Sequence, residues 1–269
     1  MGEPQDTKNF IKTFNEIARH KHRYDVFRDF VTMSAISLHN AVAKSEKLEK
    51  EYMEIVSHYS KDEVNLISEL FAQLILLLEP KPQDVLGSLY MQLELGNGKV
   101  GQFFTPPPIA DFMASIVYGS DLDKLEKPFV TLSEPACGAG SMVLAFVNIL
   151  IREGHNPMYK MWVQCIDIDR LAALMCYLQL SLWNVPAEVV VGNALTLETR
   201  EVFYTPAHRL GFWESRLKVR QVENRVKKLV AENQYQKGDN SKPKSKTKAK
   251  PIFLEHSGKQ KTVQIEFDF

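Results

Sequence analysis

The sequence predicts an α/β fold preceded by a helical module, and three observations carry the prediction. Apolar residues recur three and four apart through residues 7–95, with no alternating pattern between them. From Thr131 the chain reads as a short β-rich run, an acid, a glycine-containing turn and an apolar helix, which is the order of a β-loop-α unit. Two further apolar strands follow, each ending in polar residues, so the pattern is that of successive β-α steps.

In the helical part, Phe10, Ile11, Phe14, Ile17 and Ala18 form one apolar group, and Val26, Phe27, Phe30, Val31 and Met33 a second. Residues 64–78 form a third, which Lys81-Pro82 closes. Asp84 is placed to cap a further helix over 85–95, which Gly96-Asn97-Gly98 ends. The module therefore covers residues 1–95, and no internal repeat is found.

The first strand leads into Glu134-Pro135-Ala136-Cys137-Gly138-Ala139-Gly140, with a helix starting near Ser141. Gly138 and Gly140 permit close backbone approach to a ligand, and the helix start beyond them offers free N–H groups. Glu134, at the carboxyl end of the strand, would repel a pyrophosphate and attract a cationic ligand. The second strand, 162–166, ends in Asp167-Ile168-Asp169. A carboxylate there can accept from both hydroxyls of a ribose, and that task falls to Asp167. The third strand, 188–191, ends in Gly192-Asn193, where the Asn193 amide can hydrogen-bond the edge of a base.

Composition restricts the function classes. The formal charge is zero, which excludes a uniformly basic nucleic-acid binder, although every second residue from Lys242 to Lys250 is lysine. That run can track phosphates or serve as a solvated linker. The most apolar run, 71–78, is far short of the ~20 residues that span a bilayer, and a cytoplasmic protein without a membrane partner is expected. Cys137, Cys165 and Cys176 are odd in number and lack paired C-x-x-C spacing. They indicate neither a disulfide framework nor a metal, and reduced, buried thiols are expected.

"GQFFTPPPIADFM" (101–113), "EPACGAGSMVLAF" and "CIDIDRLAALMCYLQLSLWNV" followed by "VVVGNAL" resemble, in order and spacing, the modification subunits of type I restriction systems and related adenine-N6 DNA methyltransferases. The match covers roughly residues 84–195. It implies a Rossmann-like sheet that binds S-adenosylmethionine and methylates a flipped adenine in DNA, with a specificity subunit or other restriction-modification partner for recognition. By position, Phe104, Thr105 and Pro106 would line the methionine end of the cofactor, together with Glu134 and the loop from Ala136 through Gly138 to Gly140. Asp167 would take the ribose, Ile168 the adenine face and Asn193 the adenine edge. The resemblance also implies further parallel strands and a target-recognition domain. Neither is read here, so the expected sheet is a shortened one. The expected organisation is a helical module (1–95), a methyltransferase-like cofactor-binding domain (96–235), a basic linker (236–251) and a C-terminal strand or hairpin (252–269).

The family grips the adenine amino group with Asn/Asp-Pro-Pro-Tyr/Phe at the carboxyl end of the fourth strand. Asn156-Pro157-Met158-Tyr159 imitates this tetrapeptide but precedes the second strand, so it reads as a helix-ending turn. Where the family has its tetrapeptide stands Thr205-Pro206-Ala207-His208, after a short strand at 202–204. Thr205 with Pro206 would then be the catalytic candidates, and His208 could stack on the base in place of the aromatic; a simple loop is the other reading. Two functions remain open from the sequence. One is an adenine-specific DNA methyltransferase or its modification subunit, and the other is a catalytically degenerate relative that binds cofactor or DNA in a regulatory or interaction role.

Overall fold

The computed structural model describes residues 5–95, 104–118 and 128–239. By contact density the chain divides into two units, Met1–Val219 and Arg220–Phe269. The basic run at 242–250 and the strand or hairpin expected at 252–269 lie outside the described residues.

The first five helices are α1 (Gln5–Glu16), α2 (Arg23–Val42), α3 (Glu46–Val56), α4 (Lys61–Leu78) and α5 (Val85–Gln92). Their starts follow from local chemistry. Ser60 and Glu63 form a reciprocal capping box on α4, Ser45 caps α3, and Asp84 caps α5 by accepting from the Gly87 N–H at 2.7 Å. The three apolar groups of the sequence are α1, α2 and α4, and their aromatic rings interlock: Phe10 meets Phe30 edge-on at 5.9 Å and Phe14 meets Phe27 at 6.2 Å. The sequence pattern gave no sign of α3, which buries only Leu48.

The sheet comprises β1 (Val130–Glu134), β2 (Met161–Asp167), β3 (Ala187–Asn193) and β4 (Glu198–Tyr204), in that spatial order. The first three are parallel, and β4 runs antiparallel to β3. Helix α6 (Pro107–Tyr118) precedes β1, α7 (Ser141–Arg152) and the short α8 (Pro157–Lys160) link β1 to β2, and α9 (Arg170–Leu182) links β2 to β3. Helix α9 is buried from Leu171 to Ser181, because it packs on the sheet on one side and on α2 on the other. Its Leu174, Leu178 and Leu180 join the rings of α1 and α2 in one continuous core. After β4 come α10 (Pro206–Leu210) and α11 (Trp213–Asp239). No described helix is long and apolar enough to cross a membrane.

The direction of β4 follows from its connection. Only residues 194–197 separate it from β3. A parallel return needs a crossover of about a dozen residues or more, so so short a link permits only a hairpin. Asn193 begins the turn by accepting from the N–H groups of Leu195 and Thr196. Gly192 sits at a bulge where a Cβ would lie 2.2 Å from the Glu198 carbonyl oxygen, so only glycine fits.

Candidate functional site

The carboxyl ends of β1, β2 and β3 lie along one edge of the sheet. Glu134 is in register with Cys165, and Asp167 with Val191, so each strand extends two residues beyond the one before it. The turn after β1 is held against the end of β2: Cys137 N–H donates to the Ile166 carbonyl at 2.9 Å, and Gly138 N–H donates to Asp167 Oδ2 at 2.8 Å. Gly138 and Gly140 adopt φ of 53° and 95°, conformations that a side chain would strain. A Cβ on Gly138 would also stand 3.3 Å from the ring of Phe104, so that ring lies directly over the loop.

Two buried polar groups fix this edge to the helices. Gln179, fully buried on α9, accepts from the N–H groups of Val85 and Leu86 and donates to Asp84 and to the Ala139 carbonyl. All four of its hydrogen-bonding positions are used, so the start of α5 and the glycine loop share one anchor. Ser141, at the head of α7, donates to the Thr105 carbonyl at 2.9 Å and so brings Phe104, Thr105 and Pro106 beside the loop.

Asp167 is partly buried. Burial pushes its carboxyl above the usual carboxylate range, against the opposing pull of the Asp169 and Gly138 N–H groups. Each carboxylate oxygen accepts one of those N–H groups and retains a second lone pair. Ile168 exposes 62% of its surface, and Arg200 donates to its carbonyl. Beside it opens a cleft of about 350 Å³ lined by Tyr24, Arg28, Thr32, Ile168, Asp169 and Leu171. Arg170 follows directly, bidentate on Glu51 of α3 at 2.9 and 3.0 Å and bonded to Glu201 of β4 at 2.8 Å. Glu134 holds the turn after β1 through the Ala136 N–H at 3.3 Å. The Asn193 carbonyl oxygen is taken by its own turn, which leaves its NH₂ group as the donor toward the edge.

Thr205, Pro206 and His208 are not brought to this edge, which corrects the position expected for a catalytic loop. Because β4 is antiparallel, its end lies beside the beginning of β3: Tyr204 is in register with Glu188, and Thr205 N–H donates to the Ala187 carbonyl. Thr205 is fully buried. Its hydroxyl donates to the Val185 carbonyl at 2.7 Å and accepts from the Ala187 N–H at 2.9 Å. Pro206 is the first residue of α10, which Thr205 caps. His208 is 5% exposed, accepts from Trp162 Nε1 at Nδ1 over 3.0 Å and stacks on Tyr204. Burial holds its imidazole down to about 4, with Arg209 adding to the effect. Trp162 lies five residues before Asp167, about 16 Å along the strand. The short β3–β4 link was the signal in the sequence that could have revealed this. Asn156-Pro157 stands at the same far edge, where Asn156 caps α8 by accepting from the Met158 N–H at 3.0 Å just before β2 begins.

A parallel strand–glycine loop–helix unit with an acid ending the second strand defines a Rossmann-like cofactor-binding fold. The profile of the N-6 DNA methylase family matches residues 81–260 of this chain, well over half of it, and the chain belongs to that family. No curated protein matches. A solved structure from Listeria monocytogenes, assigned to the class I S-adenosylmethionine-dependent methyltransferases, is similar over 68% of this chain at 15% identity with a TM-score of 0.36. The match covers 52% of that protein, so this chain spans about half its length. Membership in the N-6 DNA methylase family implies S-adenosylmethionine as the cofactor. The residues present fit such a group, since two glycines of positive φ leave room under Phe104 and the Asp167 carboxylate keeps free acceptor positions beside them.

Proposed function

We propose that this chain is the cofactor-binding part of an adenine-N6 DNA methyltransferase, acting on a flipped adenine together with a partner that supplies DNA recognition and the loop that grips the amino group. The observation that carries this reading is the hydrogen bond from Gly138 to Asp167, which joins the loop after β1 and the acid after β2 into one wall. Asp167 accepts from the ribose hydroxyls, and the cleft beside Ile168 has room for an adenine. Asn193 donates its NH₂ to a ring nitrogen of that base. Phe104, Thr105 and Pro106 close over the methionine end, where Glu134, Ala136, Gly138 and Gly140 supply a carboxylate and close backbone approach. The bound cofactor provides an electrophilic methyl group. The chain's own residues hold and orient it.

The partner requirement rests on Thr205 and His208. A buried cap and a buried stack at the far edge leave no group in this loop to accept a hydrogen bond from an adenine amino group near the cofactor. The same observation favours the second reading, a catalytically degenerate relative that binds cofactor or DNA without turnover.

Calorimetric titration of the purified chain with S-adenosylmethionine, followed by an assay of label transfer from that cofactor to unmethylated DNA, tests the reading. One cofactor per chain is expected, with no transfer by the chain alone and new N6-methyladenine in DNA from expressing cells that contain the partner. Binding without methylation in any such cell would favour the degenerate relative, transfer by the chain alone would remove the partner, and absence of binding would overturn the cofactor assignment.

A further inference from the structure

The three cysteines come from three elements and meet at one point. Cys137 lies in the turn after β1, Cys165 on β2 and Cys176 on α9, and their sulfurs are all within 4.8 Å of one another. They are buried, with exposures of 6%, 0% and 0%. Gly140 makes room for the group, since a Cβ there would lie 3.0 Å from Cys176 Sγ. The cluster leaves no mark in the sequence, because the cysteines are far apart along the chain and meet only when β1, β2 and α9 pack.

Three sulfurs at this separation suit a soft ion, because thiolate donors select thiophilic metals and a Zn–S bond of about 2.3 Å would place neighbouring sulfurs roughly 4 Å apart. Among the described residues, no histidine or carboxylate joins the group as a fourth ligand. Charge then separates the candidates. The group is buried, so a net charge left on it would be costly. Zinc on three thiolates would leave a buried charge of minus one, and cuprous ion one of minus two. Arsenite leaves none: As(OH)₃ and three thiols form three As–S bonds and release three waters, with no change of oxidation state.

We propose that Cys137, Cys165 and Cys176 form a three-thiol site for a trivalent thiophilic ion of the arsenite class. The site is independent of the methyltransferase reading. It ties the glycine loop, β2 and α9 together through one atom.

The test uses the full folded chain and inorganic arsenite. Native mass spectrometry should show one arsenic per chain, and X-ray absorption at the arsenic edge should show three sulfur neighbours. Removing one of three tethered donors forfeits the gain of chelation, so Cys137→Ala, Cys165→Ala and Cys176→Ala should each weaken binding on the order of 100-fold. Two sulfurs and an oxygen around arsenic in the wild type would overturn the proposal, and this measurement stands even where a variant fails to fold. Failure of the folded chain to bind, or unchanged affinity in any folded variant, would also overturn it. Parallel titrations with zinc and cuprous ions should give weaker binding, and tighter binding of either would overturn the choice of a trivalent ion.

Discussion

Thr205→Val removes a hydroxyl and keeps the shape of the side chain, at a position that the sequence presents as a catalytic candidate and the structure as a buried cap. The substitution strands two groups: the Val185 carbonyl loses its donor and the Ala187 N–H its acceptor, both in the fully buried surroundings of Thr205. Each unsatisfied buried group costs about 1–3 kcal/mol, so the expected loss is roughly 2–6 kcal/mol. Against a typical total stability of about 5–15 kcal/mol that is a large fraction. In a protein of this size it corresponds to a fall in Tm of roughly 4–24 °C. Thermal unfolding followed by circular dichroism measures it, with Thr205→Ser as the control that keeps the hydroxyl. Below its transition the Val variant should bind S-adenosylmethionine like the wild type. An unchanged Tm would refute the reasoning, and an unchanged Tm with methyl transfer abolished would return Thr205 to the reacting centre.

Asp167→Asn should weaken S-adenosylmethionine binding by about 10–100-fold in calorimetry, because the lost charge had strengthened its hydrogen bonds to the ribose. Cofactor affinity should also depend on pH. Burial raises the pKa of Asp167 in the free protein, and the two ribose hydroxyls of the proposed complex would lower it again. Affinity is therefore full above the free-state pKa and falls as pH drops through it, a trend that titrations across acidic pH will show and that Asp167→Asn should remove. His208 carries the stability counterpart: its pKa is held down to about 4 in the folded chain against about 6.5 unfolded, so its contribution is complete above about 6.5 and is lost as pH falls toward 4. Denaturant unfolding at several pH values checks the sign, and His208→Gln should flatten the profile between those limits.

The parallel half of the sheet is legible because each of its strands is a short apolar run that ends in a polar residue, Glu134, Asp167 or Asn193. Asp167 was readable from strand length and position alone. Its partnership with Gly138 was not, since a backbone N–H leaves no mark in the sequence. Gln179 was equally silent: a glutamine within an apolar helix reads as exposed, and only the approach of α5 and the glycine loop from opposite sides gives it four partners. The position of Thr205 does not follow from the number of strands before it, because the length of chain between β3 and β4 sets the direction of the last strand. The four residues 194–197 decide the direction of β4, and with it the edge at which its last residue arrives.

That reversal matters to anyone who would engineer this loop. Rewriting residues 205–208 as the family tetrapeptide looks like a four-residue repair, yet it would install an asparagine and a tyrosine in a sealed interior about 16 Å from the edge proposed to hold the cofactor. The obstacle is wiring rather than spelling. A graft would succeed only on a strand that runs alongside β1 and ends at the same edge as Glu134.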